Sequence, residues 1–144
     1  MCYNSESMKK ILLLEDEECG EVIAMNLEAS GYTVEWLKTI PESPEDIEFQ
    51  RLAARLSGFS ALVLDENGVT ASGDKANAST WFSLALSQIF KGPIIANSTV
   101  AANVTIQLGA GCTHSYDSTH KKPSFLIELL KKLLDGETHV AAAA

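Results

Sequence analysis

The chain has 144 residues, 46% of them hydrophobic and 21% charged, which is the make-up of one globular domain and excludes a disordered segment. A formal charge of −8 argues against a direct nucleic-acid binder, which needs a basic face. No apolar stretch approaches the roughly 18 residues that span a bilayer, and residues 1–8 lack the apolar region of a signal peptide. Three scattered cysteines, Cys2, Cys19 and Cys112, show no CxxC spacing, so a reduced, cytoplasmic protein without membrane contact is expected.

In chain order, residues 1–8 read as a flexible lead-in to a first strand from Lys10 to Leu14. A helix follows from about Glu17 to Ser30, with Cys19, Val22, Ile23 and Leu27 on one stripe and Gly31 as its stop. Thr33 to Leu37 makes a second strand. Ser43-Pro44 then predicts a helix start, serine as N-cap and proline at the first helical position, with Glu45 and Asp46 favouring the positive helix end. That helix runs out near Ser57-Gly58, ahead of a strand over Ala61 to Leu64.

Residues 66–79 hold Asn67, Gly68, Ser72, Gly73 and Asn77 with almost no large apolar side chain, which predicts a long functional or mobile loop. A helix from about Thr80 to Phe90 is stopped by Gly92-Pro93, which launches a strand over Ile94 to Asn97. A weaker helix covers Val100 to Leu108, and a marginal strand Cys112 to Tyr116. The last helix runs from Pro123 to Gly136 on a stripe of Phe125, Leu126, Leu129, Leu130, Leu133 and Leu134. Residues 137–144, ending in four alanines, read as a flexible tail, which leaves 9–136 as the folded domain.

Strand and helix in strict alternation imply a parallel sheet with helices on both faces, a three-layer α/β/α sandwich. Five such units fit a doubly wound, flavodoxin-like (βα)5 fold with strand order 2-1-3-4-5. That order sets the first and third strands side by side at the switch point, where ligands bind beyond the carboxyl ends. These two strands run into Glu15-Asp16 and into Asp65. Carboxylates converging there repel one another unless a hard cation neutralises them, and oxygen-rich clusters suit magnesium.

Each candidate also has a plain structural use. Asp65 can cap a turn, and Glu15-Asp16-Glu17-Glu18 can serve as an acidic helix N-terminus, although that use does not explain why acids begin at the end of a buried strand. Asn67 is either a turn residue or the source of a backbone carbonyl for a cation. Ser98 can cap the following helix or donate to a phosphoryl oxygen. Lys121-Lys122 before Pro123 is a solvent-facing pair or a mobile point charge for a phosphoryl group. His114, His120 and His139 show no metal-ligand spacing.

Taken together and in order, these segments resemble a bacterial response-regulator receiver domain over Lys9 to Leu134. The shared features are Ile11-Leu12-Leu13-Leu14-Glu15-Asp16-Glu17, Leu62-Val63-Leu64-Asp65, Pro93-Ile94-Ile95-Ala96-Asn97-Ser98 and Lys122-Pro123. The resemblance implies that Asp65 accepts a phosphoryl group from a phosphohistidine on a histidine kinase or phosphotransfer protein. It implies Mg2+ held by Asp16, Asp65 and the carbonyl of Asn67, with Glu15 acting through water, and Ser98 and Lys122 on the phosphoryl oxygens. Such a domain is no enzyme beyond its own phosphorylation and dephosphorylation, and a homodimer is compatible with it.

The chain departs from that family in places. Gly109-Ala110 is followed by twelve residues before Pro123, so aligning on Gly-Ala puts Tyr116 where the lysine belongs, whereas aligning on Lys-Pro selects Lys122. The aromatic switch residue of the fifth strand is missing in either register, and the loop after Asp65 lacks the family's proline-containing segment. A pseudo-receiver, keeping the fold without cycling phosphate, is one alternative. Another is a haloacid-dehalogenase-like phosphatase, whose first motif resembles Leu62 to Val69; there Asn67 replaces the general acid/base, and the late acidic motif is missing. Almost no chain remains for an output domain, which implies a single-domain regulator or an excised receiver.

Overall fold

A computed structural model describes residues 9–15, 17–65, 70, 73, 78–97, 101–115 and 123–136. Asp16, Asn67, Ser98, Tyr116, Lys121 and Lys122 lie outside the described residues, as do Cys2, His120, His139 and the two terminal segments.

Five strands, β1 (Lys10–Leu14), β2 (Thr33–Leu37), β3 (Ala61–Leu64), β4 (Ile94–Ala96) and β5 (His114–Ser115), form one sheet in the order β2-β1-β3-β4-β5. Every pairing is parallel. The aliphatic runs of β1 and β3 are buried on both faces, as a sheet covered on both sides demands. Alternate residues feed two cores. Leu12, Leu14, Leu62, Leu64, Ile94 and Ala96 face one that includes Phe49 and Leu52 of α2 (Ile47–Ala54) and Phe82 and Leu86 of α3 (Ala78–Ser87). Ile11, Leu13, Ala61, Val63 and Ile95 face another, built with Ile23 and Leu27 of α1 (Glu17–Ala29) and Leu126 and Leu130 of α5 (Pro123–Lys131). The chain thus has the doubly wound, flavodoxin-like fold and strand order expected of it.

Several element boundaries and faces differ from expectation for local reasons. The second helix opens at Ile47, because Asp46 and not Ser43 is its cap: Asp46 is extended, and its carboxylate accepts from the Glu48 N–H at 3.3 Å. Val22 is half-exposed and off the buried stripe of α1. Ile23, Leu27 and Gly20 define that stripe, and at 100° per residue Val22 falls well to one side of it. Gly20 is required where it stands, since any Cβ would run into the Trp36 indole. The third helix ends at Ser87, where the Leu86 carbonyl takes both the Ile89 and Phe90 N–H groups and turns Phe90 into the core. β5 starts at His114 and not at Cys112, because the Cys112 N–H closes onto Gln107 in α4 (Ala101–Gly109), and the Thr113 hydroxyl accepts the Ile94 N–H at 2.9 Å. Beyond Lys131 the final helix widens into a π turn, Lys132–Gly136. Of the loop after β3, Thr70 is buried and bridges Ile40, and Gly73 takes a positive φ of 90° where it bonds back to Thr70. Among the described residues no helix is long and apolar enough to cross a membrane.

Candidate functional site

Leu14, Leu64 and Ala96 form one row across β1, β3 and β4. Ladder bonding continues one residue further, with the Asp65 N–H on the Leu14 carbonyl at 3.1 Å and the Asn97 N–H on the Leu64 carbonyl at 2.9 Å. Glu15, Asp65 and Asn97 therefore sit in register at the carboxyl ends of three adjacent strands. All three are buried, at 1%, 4% and 0% exposure, which is unusual for polar residues at the end of a sheet and makes their partners decisive.

The Asn97 side-chain amide donates to Glu15 Oε2 at 2.7 Å. β3 lies between the two strands, so this bond joins the residues on either side of Asp65. The Glu15 backbone is fixed separately: its N–H donates to the Leu37 carbonyl at 3.2 Å, and its carbonyl accepts from Trp36 Nε1 at 2.9 Å. Trp36 is packed on Gly20 and carries the Lys38 ammonium 4.9 Å above its ring. From α4, Gln107 inserts fully buried and donates to the Leu64 carbonyl at 2.6 Å, the group immediately before Asp65.

The structure thus brings together Glu15 and Asp65, as the topology predicts. Asp16, Asn67, Ser98 and both candidate lysines fall outside the described residues, so no geometry attaches to them. Asn97, Gln107 and Trp36 are additions that sequence reasoning missed. The only signal for Asn97 was a polar residue in place of the next aliphatic one after Ile94-Ile95-Ala96.

Two adjacent buried carboxylates supply hard, anionic oxygen donors of the kind that suit a divalent cation such as magnesium. Among the described residues no group of three or more His, Cys, Asp or Glu forms a complete cage. A cation here therefore needs donors beyond Glu15 and Asp65, and the donor chemistry fits. His114 lies beside the Thr113 hydroxyl at 2.7 Å, and Thr113 bonds to Ile94 at the opposite, amino-terminal end of β4. That opposite end carries a cavity of about 520 Å³ whose lining includes Lys9, Lys91 and His114, remote from the carboxylates.

No family model and no curated protein matches the chain in sequence. Its structure is similar to several solved ones. The chemotaxis protein CheY4 of Vibrio cholerae is 20% identical with a TM-score of 0.62, covering 89% of this chain and 100% of that one. A CheY-like response regulator receiver domain from Methylobacillus flagellatus is 14% identical with a TM-score of 0.64, covering 88% and 99%. A response regulator protein from Burkholderia pseudomallei, solved with a phosphorylated aspartic acid, a calcium ion and citrate, is 19% identical with a TM-score of 0.58, covering 94% and 72%. With these neighbours spanning nearly its whole length, the chain has the fold of the CheY-like response-regulator receiver domains.

Proposed function

We propose that residues 9–136 are a phosphoacceptor receiver domain of a two-component response regulator. The observation that carries this reading is the burial of Glu15 and Asp65 side by side at the switch point of a receiver fold. An Asp65 oxygen attacks phosphorus of a phosphohistidine on a partner kinase or phosphotransfer protein. The new bond is Asp65 O–P, the bond broken is N–P, and the departing imidazole keeps its electron pair and takes a proton from water. Asp16, Asp65 and the Asn67 carbonyl, with Glu15 through water, would hold magnesium, which would supply charge neutralisation at the phosphoryl oxygens. The neighbour from Burkholderia pseudomallei, which holds both a divalent ion and a phosphorylated aspartate, supports this assignment. Ser98 and Lys122 complete the phosphoryl contacts.

The reading is tested by incubating the protein with acetyl phosphate and magnesium and weighing it intact. The expected result is a gain of one phosphoryl group in the wild type and none in Asp65→Asn. An unmodified wild type points to a pseudo-receiver, and steady turnover of a generic phosphomonoester points to a phosphatase.

A further inference from the structure

The hydrogen bond between Asn97 and Glu15 is not a contact between neighbouring strands. β3 separates β4 from β1, and at about 4.8 Å per strand the two backbones stand roughly 9.6 Å apart. The side chains of Asn97 and Glu15 span that gap across the Asp65 position and meet at 2.7 Å, with neither exposed to solvent. A buried amide is costly without a partner, and an aliphatic side chain would continue Ile94-Ile95-Ala96 at no such cost. A carboxylate accepts only, so the nitrogen of the Asn97 amide must face it.

We infer that Asn97 is a positioning residue for the divalent cation, holding the Glu15 carboxylate beside Asp65. This rests on the receiver reading. Two like charges on adjacent strand ends relax apart when nothing restrains them, and the cation must then gather them again. Asn97 fixes one of them in advance with a neutral donor, which adds no charge of its own to compete with the cation. Hydrogen-bond partners that orient metal-binding side chains in this way are commonly worth 10–100-fold in metal affinity. Trp36 offers a local readout, because its indole is bonded to the Glu15 carbonyl.

The experiment titrates Mg2+ into the full chain by calorimetry and, in a Trp81→Phe background, by Trp36 fluorescence. Asn97→Leu, Glu15→Ala and their combination form a double-mutant cycle, with Asn97→Ala in reserve where leucine overpacks, and circular dichroism confirms the fold of each. Removing the Asn97 amide should weaken Mg2+ binding about tenfold or more. Once Glu15 is alanine, the same removal should cost less than about twofold, because Asn97 acts through Glu15. Wild-type affinity in Asn97→Leu, or losses that multiply in the double variant, overturns the inference and leaves the receiver reading intact. A wild type that binds no Mg2+ overturns both.

Discussion

Glu35 on β2 and Glu15 just past β1 are acids handled in opposite ways. Glu35 is partly exposed and is gripped by both guanidinium nitrogens of Arg55 at 2.5 Å, with Lys10 at 3.9 Å. The hydrogen bonds from Arg55 are the main reason its carboxyl titrates below the usual glutamate range, and they raise the Arg55 value in turn. Glu15 is sealed from solvent beside a second carboxylate, and the side chain joined to it from β4 is a neutral amide. An acid neutralised by its own protein at the surface contributes a little stability and no chemistry. A buried acid placed next to another supplies oxygen donors that a cation from solution can join.

That contrast can be broken by experiment. The largest expected effect is stabilisation by Mg2+, about 2.7 kcal/mol at a hundredfold excess over its dissociation constant, read by urea denaturation and lost in Asp65→Asn. Next comes a pair of opposite signs in Mg2+-free buffer. Glu15→Gln keeps an acceptor for Asn97 and removes one of two adjacent buried charges, so it should stabilise the fold by about 1 kcal/mol. Glu35→Gln should destabilise it by about 0.2–1 kcal/mol, the range of an exposed ion pair. Shifts of the same sign in both variants would erase the distinction. The smallest effect is in pH. Because its folded value is lowered, Glu35 contributes fully above the unfolded glutamate value of about 4.3 and loses that contribution as pH falls through the lowered one. A wild-type minus Glu35→Gln difference in unfolding free energy should therefore shrink only below that point, and raised salt should shrink it too.

The fold was legible because its signals are local. Four aliphatic residues in a row at β1 and again at β3 can be satisfied only where both sheet faces are covered, and alternation with helices then leaves few topologies. The carboxylates were legible for the same reason, since acids directly abutting such runs must lie at the sheet's ligand-binding end. What escaped were residues whose meaning depends on partners far along the chain. Asn97 reads only as the polar end of the strand Ile94 to Asn97 until its amide is seen to meet Glu15, 82 positions away. Gln107 is one polar residue in the weaker helix Val100 to Leu108 and carries no signal of its own, yet it is buried on a carbonyl of β3. Val22 and the start of α2 failed more simply, because a stripe can be rotated by one residue and Asp46 competes with Ser43 as a cap.

Gln107 joins α4 to the site through an unevenly matched pair of atoms. Its nitrogen grips the Leu64 carbonyl, which also holds the Asn97 N–H, while its buried oxygen has no hydrogen-bond partner among the described residues. A hydrogen bond made is worth about 0.5–1.5 kcal/mol, and a buried acceptor left unmet costs about 1–3. The cost equals or exceeds the gain, so this contact places α4 against the site without adding net stability. The carbonyl it holds belongs to the peptide group that leads into Asp65, so α4 is tied to the chain at the very link that positions that carboxylate.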